Sequence, residues 1–100
     1  MKLSSNQRKH LESLANQLKP IIRVGKQGLE SKITESIKDA FNTQELIKIK
    51  ILDTADVSAD QLADTAISNT DCQLVRIIGR VVILYKPFSD KKPKIELPAK

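Results

Sequence analysis

Residues Pro20–Leu29 read PIIRVGKQGL, a short β-branched run that enters a two-glycine loop, which in turn enters a helix. Ile21, Ile22 and Val24 favour a pleated, half-buried backbone, whereas Gly25 and Gly28 can take positive φ and let another backbone approach closely. A helix expected from about Glu30 to about Asn42 would set its unpaired N–H groups and positive dipole end beside Gly28, next to the Lys26 ammonium. Few side chains and many N–H donors suit an anion. A phosphodiester backbone fits such a loop better than a base edge or an apolar ligand does. The alternative is an ordinary strand-to-helix turn with one surface lysine, and on these residues alone both readings stand. A nucleotide P-loop is not among them, because the GxxxxGK[ST] spacing is absent.

The flanking segments give the elements around that loop. Ser4 with Gln7 forms a capping-box pattern, and Leu11, Leu14, Ala15 and Leu18 recur at helical spacing until Pro20 stops the helix. Arg8, Lys9, Glu12 and Lys19 lie off that apolar face, and His10 reads as a surface residue. Beyond the loop, Leu29, Ile33, Ile37, Ala40 and Phe41 mark one face of a second helix. Ile47, Ile49 and Ile51 alternate with Leu46, Lys48 and Lys50, a period-two strand with one apolar and one basic face. Ser58 with Gln61 repeats the capping box and opens a third helix, with Leu62, Ala63, Ala66 and Ile67 inward, ending near Asn69. Residues 73–78 and 81–85 read as strands joined at Gly79-Arg80, a connection that suits a type II′ hairpin.

The order α-β-α-β-α-β-β predicts an α/β two-layer sandwich in which right-handed crossovers place the second and third helices on one face of a mixed sheet. Val81–Tyr85 is apolar on both faces, so it belongs between the second and third strands, giving order 1-2-4-3 with the last strand antiparallel. Residues 1–86 form one domain. Residues 87–100, with their prolines and lysines, form an extended or mobile basic tail on which Ile95 and Leu97 can dock locally.

At 100 residues and 40% hydrophobic, the chain supports one core. No apolar run approaches the ~20 residues of a membrane span, and the N-terminal stretch lacks a signal-peptide pattern, so a cytoplasmic location is expected. A single Cys72 and a single His10 complete neither a disulfide nor a metal motif, and Cys72 reads as a small buried hydrophobe. The net charge of +5 is segregated. Residues 1–28 carry six cations and one acid, residues 29–71 four and nine, and residues 72–100 seven and two. In a compact fold the basic ends can form one positive surface opposite the acidic middle; chance clustering on a solvated surface is the competing reading.

The stretches LSSNQRKHLESLANQLKP, VGKQGL, ELIKIKI and IGRVVILYKP, followed by a short basic tail, resemble the CRM (chloroplast RNA splicing and ribosome maturation) domain in its single-domain bacterial YhbY-like form. The resemblance covers most of the chain. It implies an RNA-binding domain with a fold like the C-terminal domain of translation initiation factor three, and association with precursors of the large ribosomal subunit. The family's GxxG motif falls on Gly25, Lys26, Gln27 and Gly28.

The expected RNA contacts are therefore Gly25, Lys26, Gln27 and Gly28, with the cations Lys19 and Arg23 around them and Lys48, Lys50 and Arg80 contributing further along. Solvation competes with contact for the strand lysines, and for Arg76 and Lys86. Tyr85 reads as core or rim, and with only three aromatics, backbone or shape recognition of structured RNA is favoured over base stacking. No nucleophile–base spacing, metal cluster or cofactor motif is present, so a monomeric non-enzyme without cofactor is expected. The rival function is a protein-interaction module that docks an acidic partner on its basic surface.

Overall fold

Both capping boxes form: the Ser4 Oγ accepts the Gln7 N–H at 3.1 Å and the Ser58 Oγ accepts the Gln61 N–H at 3.1 Å, with each glutamine reaching back to its cap N–H. The structure is a computed structural model that describes residues 2–25 and 31–99. Its elements are α1 (Ser5–Ala15), β1 (Ile22–Val24), α2 (Ser31–Thr43), β2 (Leu46–Ile51), α3 (Ala59–Thr70), β3 (Gln73–Ile78) and β4 (Val81–Tyr85). The sheet order is β1-β2-β4-β3, with β1 and β2 parallel and β4 antiparallel to both its neighbours. At the hairpin Gly79 has φ 57 while Arg80 keeps negative φ, the combination that marks a type II′ rather than a type I′ turn.

Strand register sorts every side chain to a face. Ile22 and Val24 align with Ile49 and Ile51, and these join Val82 and Leu84 under α2 and α3 in one apolar cluster. The alternate residues Leu46, Ile83 and Tyr85 face the other way and are covered by Leu3, Leu11 and Ala15 of the N-terminal segment. Helix α1 thus adds partial cover on the face opposite α2 and α3, so the central strands are buried on both sides. β3 contributes through a bulge. Leu74 and Arg76 align with the consecutive residues Leu84 and Ile83, leaving Val75 as the extra residue. Val75 fills the α1 cluster, and the Arg76 guanidinium meets the Glu12 carboxylate of α1 at 2.8 Å.

Helix α1 ends at Ala15, short of Pro20, because the chain tightens into i→i+3 bonds there: the Gln17 N–H donates to Leu14 at 3.3 Å and the Leu18 N–H to Ala15 at 2.9 Å. Leu11 and Ala15 reach the core, while Leu14 and Leu18 stay 39% and 36% exposed.

Glu45, immediately before β2, is only 3% exposed. One of its carboxylate oxygens accepts the Phe88 N–H at 2.9 Å, and the other accepts the Lys94 and Ile95 N–H groups at 2.7 and 2.8 Å. Charge-assisted bonds of this kind hold an extended segment that otherwise makes no ladder. The clasp seats Phe88 in the interior and brings Ile95 and Leu97 against the α1 cluster, while the Gln7 side chain donates to Pro98 at 2.9 Å.

Glu45→Gln keeps the shape but offers one acceptor oxygen where three donors converge. It should cost about 2–3 kcal/mol in denaturant unfolding and speed proteolytic cleavage after Tyr85. Burial pushes the Cys72 thiol above its ordinary value, against smaller lowering contributions from a Thr70 hydrogen bond and Lys86. A raised folded value means that the stabilisation is complete below the ordinary thiol value of 9.0 and is lost as pH climbs beyond it. Unfolding free energy should accordingly fall above that pH, and Cys72→Ala should flatten the first part of the decline.

Candidate nucleic-acid interface

The short β1 strand aligns Arg23 with Lys50, Lys50 aligns with Val81, and Val81 with Ile78, so these four residues form one row across the sheet. They share the face of Leu46, Ile83 and Tyr85, but α1 covers those residues and leaves the end of the sheet open. Arg23 and Lys50 are exposed, and Ile78 is 45% exposed. Adjacent strands lie ~5 Å apart, so two cations face each other with no ion-pair partner among the described residues. Like charges opposed in this way destabilise a sheet, which makes the pair an unexplained cost in the free chain.

Gly25 continues from β1 at the same end. The Leu52 N–H donates to Val24 at 2.8 Å and the Ile51 N–H to Arg80 at 2.8 Å, so the end of β1, the loop after β2 and the β3–β4 hairpin adjoin. A Cβ placed on Gly25 would sit 3.6 Å from Leu52 Cδ1 and Thr54 Oγ1, ordinary contact distances, and the Gly25 backbone is not left-handed. The fold itself therefore accepts a side chain there. Arg80 donates to the Leu52 carbonyl at 3.3 Å and approaches Asp53 at 3.5 Å, which tempers its charge.

The expected site residues thus divide. Arg23, Gly25, Lys50 and Arg80 gather at one end of the sheet. Lys48 lies one row inward, half-buried, with its ammonium donating to the Leu18 carbonyl at 3.2 Å. Lys19 follows Leu18, near the start of β1, and is exposed. Lys26, Gln27 and Gly28 lie outside the described residues. Two other cations are engaged in holding the fold: Arg76 with Glu12, and Lys86, which donates to the Thr70 carbonyl at 2.7 Å and so caps the end of α3.

Pattern reasoning missed Arg8 and Lys9. Both are exposed on α1, and α1 lies on the same side of the sheet as Arg23 and Lys50. The amphipathic pattern shows that they face outward, but not which side of the sheet α1 covers. On the opposite side, α2 and α3 carry Glu35, Asp39, Asp60 and Asp64 against Lys32 and Lys38. Charge therefore separates by layer, with the positive layer on the α1 side.

The aromatics are all interior: Phe41, Tyr85 and Phe88 are 7%, 1% and 8% exposed. No stacking platform is available. Among the described residues, no three of His, Cys, Asp and Glu converge to hold a metal ion, and no helix is long and apolar enough to cross a membrane.

Residues 3–86 match the model of the CRS1/YhbY (CRM) domain. The chain is 37% identical over 99 residues to a Haemophilus influenzae protein named RNA-binding protein, covering 98% of this chain and 97% of that one. It is 34% identical over 96 residues to the Probable RNA-binding protein YqeI of Bacillus subtilis, covering 96% and 99%. Among solved structures, SAV1595 from Staphylococcus aureus, described as a candidate RNA binder, superposes with TM-score 0.75 at 32% identity over 97% of this chain and 100% of its own. With its sequence matched almost from end to end and its sheet order that of the expected fold, the chain belongs to the CRS1/YhbY (CRM) domain family.

Proposed function

We propose that this chain is a cytoplasmic RNA-binding protein that associates with precursor rRNA of the large ribosomal subunit and assists its assembly by binding rather than by catalysis. The RNA backbone is held by the Gly25–Gly28 loop together with the open sheet row beside it. The observation that carries this reading is the Arg23–Lys50 pair. Two cations opposed on an exposed sheet end, next to a glycine that the fold does not need, are accounted for by a polyanion that relieves their repulsion. Family membership and the names of the relatives support RNA as that polyanion.

The interior placement of all three aromatics favours backbone and shape recognition over stacking on single-stranded bases. Affinity from phosphate contacts alone is only ~10⁻⁴–10⁻⁶ M at physiological salt, if magnitudes for DNA apply. Selectivity must then come from the shape of a rigid RNA junction, such as one exposed in an assembly intermediate and buried as the particle matures.

Stability and binding should move in opposite directions at the sheet end. Arg23→Thr removes the like-charge opposition and should leave the fold unchanged or up to about 0.5 kcal/mol more stable in denaturant unfolding. The same variant should bind structured RNA several-fold more weakly, with a salt slope smaller by about one phosphate contact. Gly25→Ala should unfold within about 0.5 kcal/mol of the parent yet bind RNA more weakly, because the added methyl meets the incoming backbone. Unchanged RNA affinity in Arg23→Thr, Gly25→Ala and Lys26→Ala alike would sink the assignment of this end. For the cellular role, the protein should co-sediment with the large-subunit precursor on a density gradient at low salt and be absent from mature ribosomes. Confinement to the small subunit or to ribosome-free fractions would overturn it.

A further inference from the structure

We propose that the groove between the end of α1 and the clasped C-terminal segment docks a protein partner that inserts aliphatic side chains flanked by acidic residues. The groove has a volume of about 470 Å³, and its apolar walls are Leu14, Leu18, Leu46, Phe88 and Ile95. Two features of the fold keep it open. The tightened turn after Ala15 swings Leu18 off the helical face, with Lys48 fastened to the Leu18 carbonyl, and the Glu45 clasp sets Phe88 and Ile95 as the opposite wall. Of five large apolar side chains exposed among the described residues, two line this groove: Leu14 and Leu18, at 39% and 36%. Scattered exposed leucines are ordinary, but a preformed concave cluster of them marks a contact surface.

The chemistry of the walls selects the occupant. The apolar walls offer no donor to a phosphate, which would lose hydration against them, and the neutral polar lining, Gln17, Thr43 and Gln44, carries no charge to offset that loss, so RNA is the poorer fit. Glu45 is the one acid lining the groove among the described residues, and both its oxygens are already occupied by backbone N–H groups. The one exposed charged side chain that lines the groove among the described residues is cationic, Lys94. A second copy related by two-fold symmetry would bring the two Lys94 side chains toward each other in a chain already at +5. An acidic amphipathic segment, presenting leucines at helical spacing between carboxylates, satisfies both the apolar walls and Lys94. The groove lies at the start of β2 whereas Arg23 and Lys50 lie toward its other end, so this inference stands independently of the RNA reading.

The test uses the full chain and a fluorescein-labelled peptide about four helical turns long, with leucines at i, i+3, i+4 and i+7 and glutamate elsewhere. A control peptide replaces each leucine with glutamine and keeps the charge. The leucine peptide should bind roughly tenfold or more tightly than the control and shift the amide resonances of Leu14, Leu18, Leu46 and Ile95. Leu14→Gln with Leu18→Gln should weaken it about tenfold while leaving RNA affinity unmoved. Both leucines are exposed, so the fold should persist; if a melt shows otherwise, Lys94→Glu carries the test, with weaker binding and a lost salt dependence expected. Equal binding of the two peptides, or resonance shifts confined to the Arg23–Lys50 row, would overturn the proposal. So would a concentration-dependent dimer in sedimentation that the leucine variants abolish, because the occupant would then be a second copy.

Discussion

Pairing of β4 between β2 and β3 is the constraint on which the rest of the molecule depends. Val82 and Leu84 point to α2 and α3 while Ile83 and Tyr85 point to α1, so one strand of alternating apolar residues holds both halves of the core together. A strand apolar on both faces needs cover on both, which the middle of the sheet provides, and β4 accordingly lies between β2 and β3. That order puts β1 at one edge, where Arg23 lies beyond the part of the face that α1 covers.

At the uncovered end of the sheet the residues depart from what local stability alone would favour. Most cations on the positive side are either dispersed or committed: Arg76 to Glu12, Lys86 to the end of α3, Lys48 to the turn after α1. Arg23 and Lys50 are the exception, opposed across neighbouring strands. Like charges directly opposite each other destabilise a sheet, whereas opposite charges there stabilise it. The adjacent Gly25 adds a second departure, since the backbone there accepts a Cβ at ordinary contact distance. Two departures from what the fold would prefer thus lie side by side, and the proposed RNA contact would account for both.

Glu45 shows the opposite logic. Its carboxylate is buried, but it anchors three backbone N–H groups of a segment too polar and proline-rich to hold itself by ladder pairing. By fixing that segment it also builds one wall of the apolar groove, so a single buried charge converts a basic tail into part of the molecular surface.

Local physics made most of the architecture legible. Capping boxes at Ser4 and Ser58, the alternation in Leu46–Ile51, the glycine at the hairpin and the two-sided apolar strand Val81–Tyr85 each act within a few residues, so the sequence alone carried the element order, the strand order 1-2-4-3 and the shared face of α2 and α3. The candidate site was legible as chemistry, through the glycines and their neighbouring cations, but not as geometry. Three things required the tertiary structure, because each is a contact between segments far apart in the chain. The side of the sheet that α1 covers decides that Arg8 and Lys9 join the positive layer. The parallel register of β1 with β2 decides that Arg23 meets Lys50 rather than Lys48. The capture of the tail by Glu45, across some fifty residues, rests on backbone N–H groups that every residue type but proline possesses, so no pattern of side chains could announce it.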